Sequence, residues 1–205
     1  MPPDSGHALL GPSKAERWIA CPASIAMEKG CPEPPESPWA TEGTAAHEIA
    51  AHKLARITGQ ISQRAYTGRV NKTARAFDLT DEQRGDMERH ADAYAWHIRG
   101  WLDERGTGAV LIEQRVDPGV PDGSGTADAI VLCGDVLHVI DYKYGRSVVE
   151  VEGNPQLKLY ALGALESFDL LGEIVEFHAT IYQPRAGNIA TSSYTPEEQI
   201  GRAHV

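Results

Sequence analysis

The stretch Val136-Leu137-His138-Val139-Ile140-Asp141-Tyr142-Lys143 decides the fold. Its first residues are mostly apolar, which predicts a buried strand from Val136 to Tyr142. Asp141 and Lys143 are two positions apart, so both side chains point to one face of that strand. A carboxylate at the end of a buried strand is costly unless it is ion-paired or bound to a metal ion. The alternative is a surface ion pair at a strand end.

An earlier strand is predicted from Gly125 to Cys133, and the turn Cys133-Gly134-Asp135 joins the two strands as a hairpin. The hairpin brings Asp128 within reach of the cation that Asp141 would bind. Two neighbouring carboxylates repel each other, and a divalent metal ion relieves that repulsion. Oxygen ligands of this kind suit Mg²⁺ or Mn²⁺, and an added imidazole shifts the preference toward Mn²⁺.

A helix follows the Asp-x-Lys strand after a short connection, with Asn154-Pro155 as N-cap and first helical residue. Gln156 and Tyr160 are four residues apart and therefore lie on one face of this helix. Its first turn can lie over the end of the strand. The alternative is that Gln156 is an ordinary polar residue at a helix start and that Tyr160 belongs to the core.

His47 lies on a predicted helix of small residues, Ala45 to Ala51, preceded by Gly43-Thr44 and ending near Gly59. These small residues would let the helix pack closely on the sheet and bring the imidazole to the metal ion. A lone histidine is, however, more often structural or exposed than a metal ligand.

The remaining elements complete a mixed α/β layer fold. From His47 onward the predicted order is helix, insertion, three strands, helix, strand. The other predicted segments are a helix opened by a Ser13-x-x-Glu16 capping box, a proline-rich loop over 31–38, a helix from the Thr80-x-x-Gln83 capping box to about Glu104, a strand over 109–116, the helix after Pro155 to about Leu170, and a strand over 174–182.

Composition and charge limit the class of protein. The 205 residues are 41% hydrophobic with a net charge of −10, and no apolar run is long enough to span a membrane. The start lacks a secretion signal and three scattered cysteines do not make a disulfide framework, so a cytoplasmic protein with reduced thiols is expected. The net charge argues against broad binding to nucleic acid but leaves room for a local basic groove.

One basic segment interrupts this acidic chain. Residues 49–77 contain no acid, so they could place a basic face on an otherwise negative surface. The alternative is a solvated helix end and loop. The basic residues in it are Lys53, Arg56, Arg64, Arg69, Lys72 and Arg75.

Four motifs, taken in order, resemble those of RecB-like nucleases of the PD-(D/E)XK superfamily. They are Gly43-Thr44-Ala45-Ala46-His47-Glu48, Gly125-Thr126-Ala127-Asp128, Asp141-Tyr142-Lys143 and Gln156-Leu157-Lys158-Leu159-Tyr160. With His7-Ala8-Leu9-Leu10, Ser13, Arg17-Trp18, Cys21-Pro22-Ala23-Ser24 and Tyr144-Gly145, the chain more closely resembles a phage- and prophage-borne family of unknown function assigned to that superfamily. The resemblance covers roughly 7–185.

The resemblance implies a metal-dependent deoxyribonuclease that hydrolyses phosphodiesters, with exonuclease-like action on DNA ends or single-stranded portions. His47, Asp128 and Asp141 would be metal ligands together with the Tyr142 carbonyl. Lys143 would orient the attacking water or help to deprotonate it, and Gln156 and Tyr160 would position DNA or support the site. The basic segment would guide DNA, and phage recombination or replication proteins would be partners.

Many relatives hold a [4Fe–4S] cluster with one cysteine before the core and three near the C-terminus. Cys21 matches the first of these, but the other three are absent, so this chain alone is not expected to assemble a cluster. The alternative for Cys21 is a small buried hydrophobic residue, which is also the expectation for Cys133.

The expected organisation is a helical and loop segment over 1–42 and a nuclease-like core over 43–185, with a helical insertion at about 60–105. A truncated C-terminal region would begin over 186–199. The tail 200–205 resembles a reading frame of a common sequencing adapter and is interpreted as an artefact.

Two other classes of function remain open. One is a catalytically silent nuclease-like fold that binds DNA or a phage protein. The acidic charge and short basic run favour it mildly, and the complete set of site residues disfavours it. The other is a metal-dependent hydrolase that acts on something other than DNA, for which no pocket signature is visible in the sequence.

Overall fold

The computed structural model describes residues 8–28, 31, 35, 37–168 and 174–195. The helices within these ranges are α1 (Ala15–Ala20), α2 (Ala23–Glu28), α3 (Pro38–Ile57), α4 (Gln63–Ala76), α5 (Asp81–Arg105) and α6 (Pro155–Phe168). The strands are β1 (Ala109–Val116), β2 (Gly125–Cys133), β3 (Val136–Tyr142), β4 (Glu176–Gln183) and β5 (Asn188–Tyr194). Short 3-10 helices cover Pro12–Lys14 and Pro184–Ala186.

The strands form one sheet in the order β1-β2-β3-β4-β5. All neighbouring pairs are antiparallel except β3 and β4, which run parallel and are joined through α6. A parallel pair needs a crossover of this kind, whereas the antiparallel pairs need only short turns. The fold is therefore mixed α/β with a mostly antiparallel sheet, and the predicted bounds of the first three strands are confirmed.

Helices cover both faces of the sheet. On one face, α3 and α5 enclose a buried cluster that includes Ile49, Tyr94 and Tyr142. On the other face, α6 packs over a second cluster that includes Ile130 and Leu157. Because the end of β3 lies between these two layers, side chains from α3 and α6 can approach it from opposite faces.

Local capping signals predict two helix starts correctly. The Thr80 hydroxyl accepts the Gln83 N–H at 3.2 Å, and the Gln83 side chain accepts the Thr80 N–H at 3.0 Å, which is the predicted capping box of α5. The Asn154 side chain accepts the Leu157 N–H at 3.2 Å at the start of α6. Both contacts satisfy backbone donors that a helix start would otherwise leave unpaired.

Two predicted helix starts are wrong. The Ser13-x-x-Glu16 box does not form, because a 3-10 helix occupies Pro12–Lys14 and α1 begins after Lys14 without a side-chain cap. Helix α3 begins at Pro38, since the Ser37 hydroxyl accepts the Ala40 N–H at 3.2 Å and proline suits a first helical turn. Gly43 therefore lies inside α3 rather than before it.

The sheet continues beyond the predicted core boundary at residue 185. Strand β5 pairs antiparallel with β4 along its length, from Asn188 opposite Gln183 to Tyr194 opposite Phe177. Strand β4 itself begins two residues later than predicted, at Glu176, and ends one residue later, at Gln183. The predicted end of α6 near 170 and the tail 200–205 lie outside the described residues. Helices α4 and α5 occupy the predicted range 60–105, between α3 and the first strand.

No helix among the described residues is both long and apolar enough to pass through a membrane.

Candidate functional site

The two predicted acidic ligands lie at the same end of the sheet. The β2–β3 register pairs Ala129 with Ile140, so Asp128 and Asp141 occupy the next opposed positions. Opposed residues of antiparallel strands have their Cβ atoms roughly 4.5–5.5 Å apart. The Tyr142 N–H donates to Asp128 Oδ2 at 2.7 Å, which ties the two strand ends together.

His47 reaches Asp128 from α3. Its Nδ1 lies 3.2 Å from Asp128 Oδ1, and its ring packs edge-on against Tyr142 with centroids 5.4 Å apart. The buried methyl groups of Ala45 and Ala46 allow this approach. Gly43, which was expected to contribute, does not: a Cβ added there would meet nothing within 4 Å. The predicted close packing thus rests on alanines.

This pair is a mutually stabilised ion pair. Burial disfavours the charged imidazole, but the charge and hydrogen bond of Asp128 together with the charge of Asp141 outweigh burial and raise the pKa of His47. Burial alone would raise the pKa of Asp128, yet His47, Lys143 and the Tyr142 N–H together hold it below its usual value. Both shifts favour the charged forms, in agreement with the short contact.

Asp141 belongs to a second group of contacts, made with Lys143 just after β3 and with Gln156 of α6. Lys143 Nζ lies 3.0 Å from Asp141 Oδ2 and donates to Gln156 Oε1 at 3.0 Å. Gln156 Nε2 donates to Asp141 Oδ1 at 3.1 Å and to the Tyr160 hydroxyl at 3.3 Å. The expected common face of Gln156 and Tyr160 is confirmed, and Tyr160 is also a buried core residue.

The Asp141–Lys143 pair is not a surface ion pair, because the Asp141 side chain is only 2% exposed. Burial raises the pKa of Asp141 to about 6, with the Asp128 charge adding to the rise and Lys143 opposing it. Asp141 Oδ2 has the Lys143 ammonium as its partner at 3.0 Å, and Oδ1 accepts from Gln156. A buried carboxylate oxygen in this state is suited to bind a cation.

The chemical types of the side chains suit a divalent metal ion, since an imidazole and two carboxylates lie at the same end of the sheet. As the side chains stand, no group of three or more His, Cys, Asp or Glu residues in the described part of the chain could hold a metal ion. His47 and Asp128 contact each other in one group. Asp141 contacts Lys143 and Gln156 in a second group. Binding one ion would require these side chains to turn toward each other.

Glu113 is a residue of this site that sequence reasoning missed. It lies on β1 with an unusual positive φ of 51° and lines a narrow recess. The other residues that line the recess are His47, Ala50, Ala51, Tyr94, Asp128 and Tyr142. Partial burial and the Asp128 charge raise the pKa of Glu113 to about 7. The available signal was a lone acid directly after the apolar run from Ala109 to Ile112 in β1.

The six basic residues of 49–77 do not form one free surface. Lys53 contacts Asp92 at 3.1 Å and lies over the Tyr66 ring, and Arg56 donates to Gln63 at 2.9 Å. The other four side chains are exposed on α4; they are Arg64, Arg69, Lys72 and Arg75. At about 100° per residue these four fall within roughly 140° of the helix surface.

Helix α4 is fixed close to the His47 helix. The Thr73 hydroxyl of α4 donates to Glu48 Oε2 at 2.8 Å, and Glu48 follows His47 directly. Burial and the Arg69 charge lower the pKa of His52, so Arg69 lies near α3 as well. The predicted basic face therefore exists as part of α4, beside the helix that carries His47.

The cysteines differ in their surroundings. Cys133 is buried, as predicted, and its Sγ contacts the Thr107 carbonyl at 3.4 Å. Cys21 is exposed, so the alternative of a small buried hydrophobic residue is wrong for it. Cys31 is exposed too.

Comparison with solved structures gives a weak likeness. A protein described as "Crystal structure of SSO0001" is 18% identical and aligns over 78% of this chain and 71% of its own, with a TM-score of 0.27. A score this low indicates neither a shared fold nor a shared function. Comparison with protein families gives a clear result, because one family described as "Protein of unknown function (DUF2800)" matches residues 7–203. The match spans nearly all of the sequence, and the chain belongs to this DUF2800 family.

Proposed function

We propose that the protein is a divalent-metal-dependent DNA nuclease with a PD-(D/E)XK-like core. The observation that carries the proposal is the position of Lys143 Nζ, 3.0 Å from both a buried Asp141 oxygen and Gln156 Oε1. The Asp128–His47 pair lies at the same sheet end. Side chains from α3, β2, β3 and α6 therefore converge where a phosphodiester could be bound.

His47, Asp128 and Asp141 would hold the metal ion, with the Tyr142 carbonyl as a further oxygen. When bound, Mg²⁺ or Mn²⁺ would lower the pKa of a coordinated water and offset the charge that develops on the phosphoryl oxygens. The raised pKa of Asp141 supports this assignment, because a carboxylate destabilised by burial and by Asp128 gains most from a nearby cation.

Lys143 would then orient the water, favour its deprotonation through the charge of the ammonium group, and offset charge on the phosphate. It is 27% exposed, so it is reachable from solvent while its ammonium stays anchored on Asp141. Gln156 fixes both partners, since its amide donates to Asp141 and its oxygen accepts from Lys143. The Tyr160 hydroxyl accepts a further hydrogen bond from the Gln156 amide. These contacts hold the lysine in one orientation before the substrate arrives, which reduces the cost of positioning it.

The exposed arginines and lysine of α4 are the proposed guide for the DNA backbone. They carry four positive charges on one side of a helix that is attached beside His47. A local array of this kind can attract phosphates although the whole chain has a net charge of −10.

By resemblance, the substrate is DNA with an end or a single-stranded portion, and the action is exonuclease-like. A cytoplasmic setting in a phage or prophage context, with recombination or replication proteins as partners, belongs to the same proposal. A [4Fe–4S] cluster would need three cysteines beyond the exposed Cys21.

The second candidate is a catalytically silent nuclease-like module that binds DNA or a phage protein. The observation that favours it is the ion pair between Lys143 and Asp141, which offsets the charge of the buried carboxylate from within the protein. A substrate-cleavage assay separates the two candidates.

The test is a nuclease assay on linear and circular, single- and double-stranded DNA with Mg²⁺ or Mn²⁺. The protein should degrade at least one substrate, and Lys143→Ala or Asp141→Ala should lower the rate by roughly 10²–10³-fold, as loss of a charge-stabilising group does. Lys14→Ala and Asp103→Asn are matched controls, because both residues are exposed and lie on other elements. Cleavage at the wild-type rate by both site variants would contradict the mechanism. DNA binding without metal-dependent cleavage would favour the silent module.

A further inference from the structure

The loop that follows β3 is fixed by one buried side chain, that of Gln183. Gln183 is the last residue of β4 and is fully buried. Its Nε2 donates to the Gly145 carbonyl at 3.0 Å and to the Ser147 carbonyl at 2.7 Å. Its Oε1 accepts the Val149 N–H at 3.1 Å and the Asn188 side-chain N–H at 3.2 Å. An amide side chain has two donors and two acceptor sites, so every polar site of Gln183 is used.

Neighbouring contacts extend this attachment along the loop. Strands β3 and β4 run parallel, so both end at the sheet edge at which Lys143 lies. The Lys143 N–H donates to the Tyr182 carbonyl at 2.9 Å, directly before Gln183 in β4. Asn188, the first residue of β5, donates to the Val149 carbonyl at 2.9 Å. The backbone after Lys143 is therefore bound to β4 and β5, and a loop held in one conformation loses little entropy when a ligand binds.

The side chains of this loop are exposed although its backbone is fixed. Gly145, Arg146, Ser147 and Val148 are all exposed, and a Cβ added at Gly145 would meet nothing within 4 Å. Arg146 has no hydrogen-bond or ion-pair partner among the described residues. An arginine with free donors on a fixed backbone is suited to bind a phosphate, whose oxygens accept its N–H groups in pairs.

Arg146 lies close enough to Lys143 to contact the same DNA strand. The two residues are three positions apart, so at most about 10–11 Å of chain separates their Cα atoms. One strand of a DNA duplex rises about 3.4 Å per nucleotide, so this distance corresponds to about three nucleotides. A strand with a phosphodiester at Lys143 would therefore bring another backbone phosphate within reach of Arg146.

We propose that Arg146 binds a backbone phosphate beside the phosphodiester that is cleaved, and that Gln183 positions it through the loop. This inference rests on the proposed nuclease function and deepens it, because it names a contact that holds the substrate strand next to Lys143. Arg146 acts on the bound strand and not on the reacting atoms. Its loss should therefore weaken DNA binding and spare the chemical step.

The test measures binding without metal, and cleavage with Mn²⁺, of labelled single-stranded and linear duplex DNA by the full chain. Arg146→Gln should raise the Kd and the KM by roughly five- to tenfold, between the scales of an exposed ion pair and of a charge-assisted hydrogen bond. The kcat should be retained. The slope of log Kd against log salt should fall by about 0.7 for a single strand or about 0.9 for a duplex, the contribution of one phosphate.

Two further variants are matched to Arg146→Gln. Arg146→Lys keeps the positive charge and should keep the salt slope. Arg99→Gln removes an exposed arginine of α5 that contacts Asp103, and it should leave the Kd, the KM and the slope unchanged. A wild-type KM and salt slope for Arg146→Gln overturns the role of Arg146 and leaves the proposed nuclease intact. A wild-type protein that neither binds nor cleaves DNA overturns both proposals.

A double-mutant cycle tests the positioning role of Gln183. Gln183→Met keeps the length of the side chain and removes its four hydrogen bonds. In that background Arg146→Gln should raise the KM less than about twofold, because the arginine is no longer held in place. A role of Gln183 in stability alone predicts that the full effect persists, which would overturn the positioning role. If Gln183→Met does not fold, Asn188→Ala replaces it in the cycle, and an undiminished effect of Arg146→Gln is again the contrary result.

Discussion

Asp128 shows how the two halves of the candidate site depend on one side chain. One of its oxygens contacts His47 from α3, and the other accepts the Tyr142 N–H at the end of β3. Its neighbour Asp141 contacts Lys143, which directly follows β3, and accepts from Gln156 of the opposite layer. A change at Asp128 therefore alters both the charge of the site and the joint between two strands.

Asp128→Asn should weaken metal binding more than folding. An asparagine oxygen can still accept the Tyr142 N–H, so the unfolding free energy should change by no more than about 1–2 kcal/mol. Loss of the carboxylate charge should raise the Kd for Mn²⁺ by about tenfold or more. Calorimetric titration measures the Kd for Mn²⁺, and chemical denaturation of the same samples measures the free energy of unfolding. A large loss of stability with an unchanged Kd would assign Asp128 to the fold alone.

At the scale of elements, α4 is the part of the insertion with a functional interpretation. Its buried side, with Tyr66, Val70 and Thr73, packs toward the rest of the molecule. Its basic residues are exposed to solvent, so α4 has one buried and one exposed side, as an amphipathic surface helix does. Two of the six basic residues in the segment, Lys53 and Arg56, are engaged in contacts within the protein instead.

Charge reversal of α4 should weaken the interaction with DNA without affecting the chemical step. Arg64→Glu, Arg69→Glu and Arg75→Glu together should raise the apparent KM for DNA and flatten its dependence on salt, by about one unit of slope for each phosphate that the helix no longer binds. The turnover rate at saturating DNA should be retained.

The matched control is reversal of Arg89 and Arg99 on α5, each of which already contacts an acid of its own helix. Circular dichroism establishes that the α4 variant keeps its helices. An unchanged salt slope in the α4 variant would place the DNA groove elsewhere.

At the scale of the whole molecule, α5 closes the core over a buried histidine. His138 is 2% exposed, contacts the Thr180 hydroxyl at 2.7 Å and packs against Trp101 with ring centroids 4.9 Å apart. Burial lowers the pKa of His138 to about 3, with His178, His97 and Arg105 adding to the shift. The imidazole is therefore neutral in the folded protein at any pH at which the protein would be assayed.

This histidine makes stability depend on pH in acid. The unfolded histidine has a pKa of about 6.5. Because the folded pKa is lower, the unfolded chain binds more protons between the two values, so stability is full above about pH 6.5 and falls as the pH drops toward 3. The slope from His138 should approach about 1.4 kcal/mol per pH unit within this window. Urea denaturation between pH 4 and pH 8 should show a shallower slope for His138→Gln, and equal slopes would contradict the assignment.

Much of the fold could be predicted from the sequence because its signals are local. The bounds of β1, β2 and β3, the α5 capping box and the Asn154 cap depend on apolar runs, turns and side chains within a few residues. The same holds for the common face of Asp141 and Lys143 and that of Gln156 and Tyr160, since strand and helix periods determine them.

Other features depend on contacts between distant segments. Strand β5 lacks an apolar run and exists because β4 offers an edge with which to pair. A 3-10 turn replaces the expected Ser13 box, and Gly43 lies within α3 because Ser37 and Pro38 supply an earlier start.

By itself the sequence determined the bounds of β1, β2 and β3, the caps of α5 and α6 and most of the candidate site residues, since each follows from the order of neighbouring residues. Only the tertiary structure decided how those residues meet. It pairs His47 with Asp128, 81 positions apart, and sets Asp141 against Gln156 from the other layer. It also brings Glu113 and the Tyr94 hydroxyl to the same recess. Strand register and the packing of helices on both faces of the sheet produce this convergence, and both depend on contacts between distant segments.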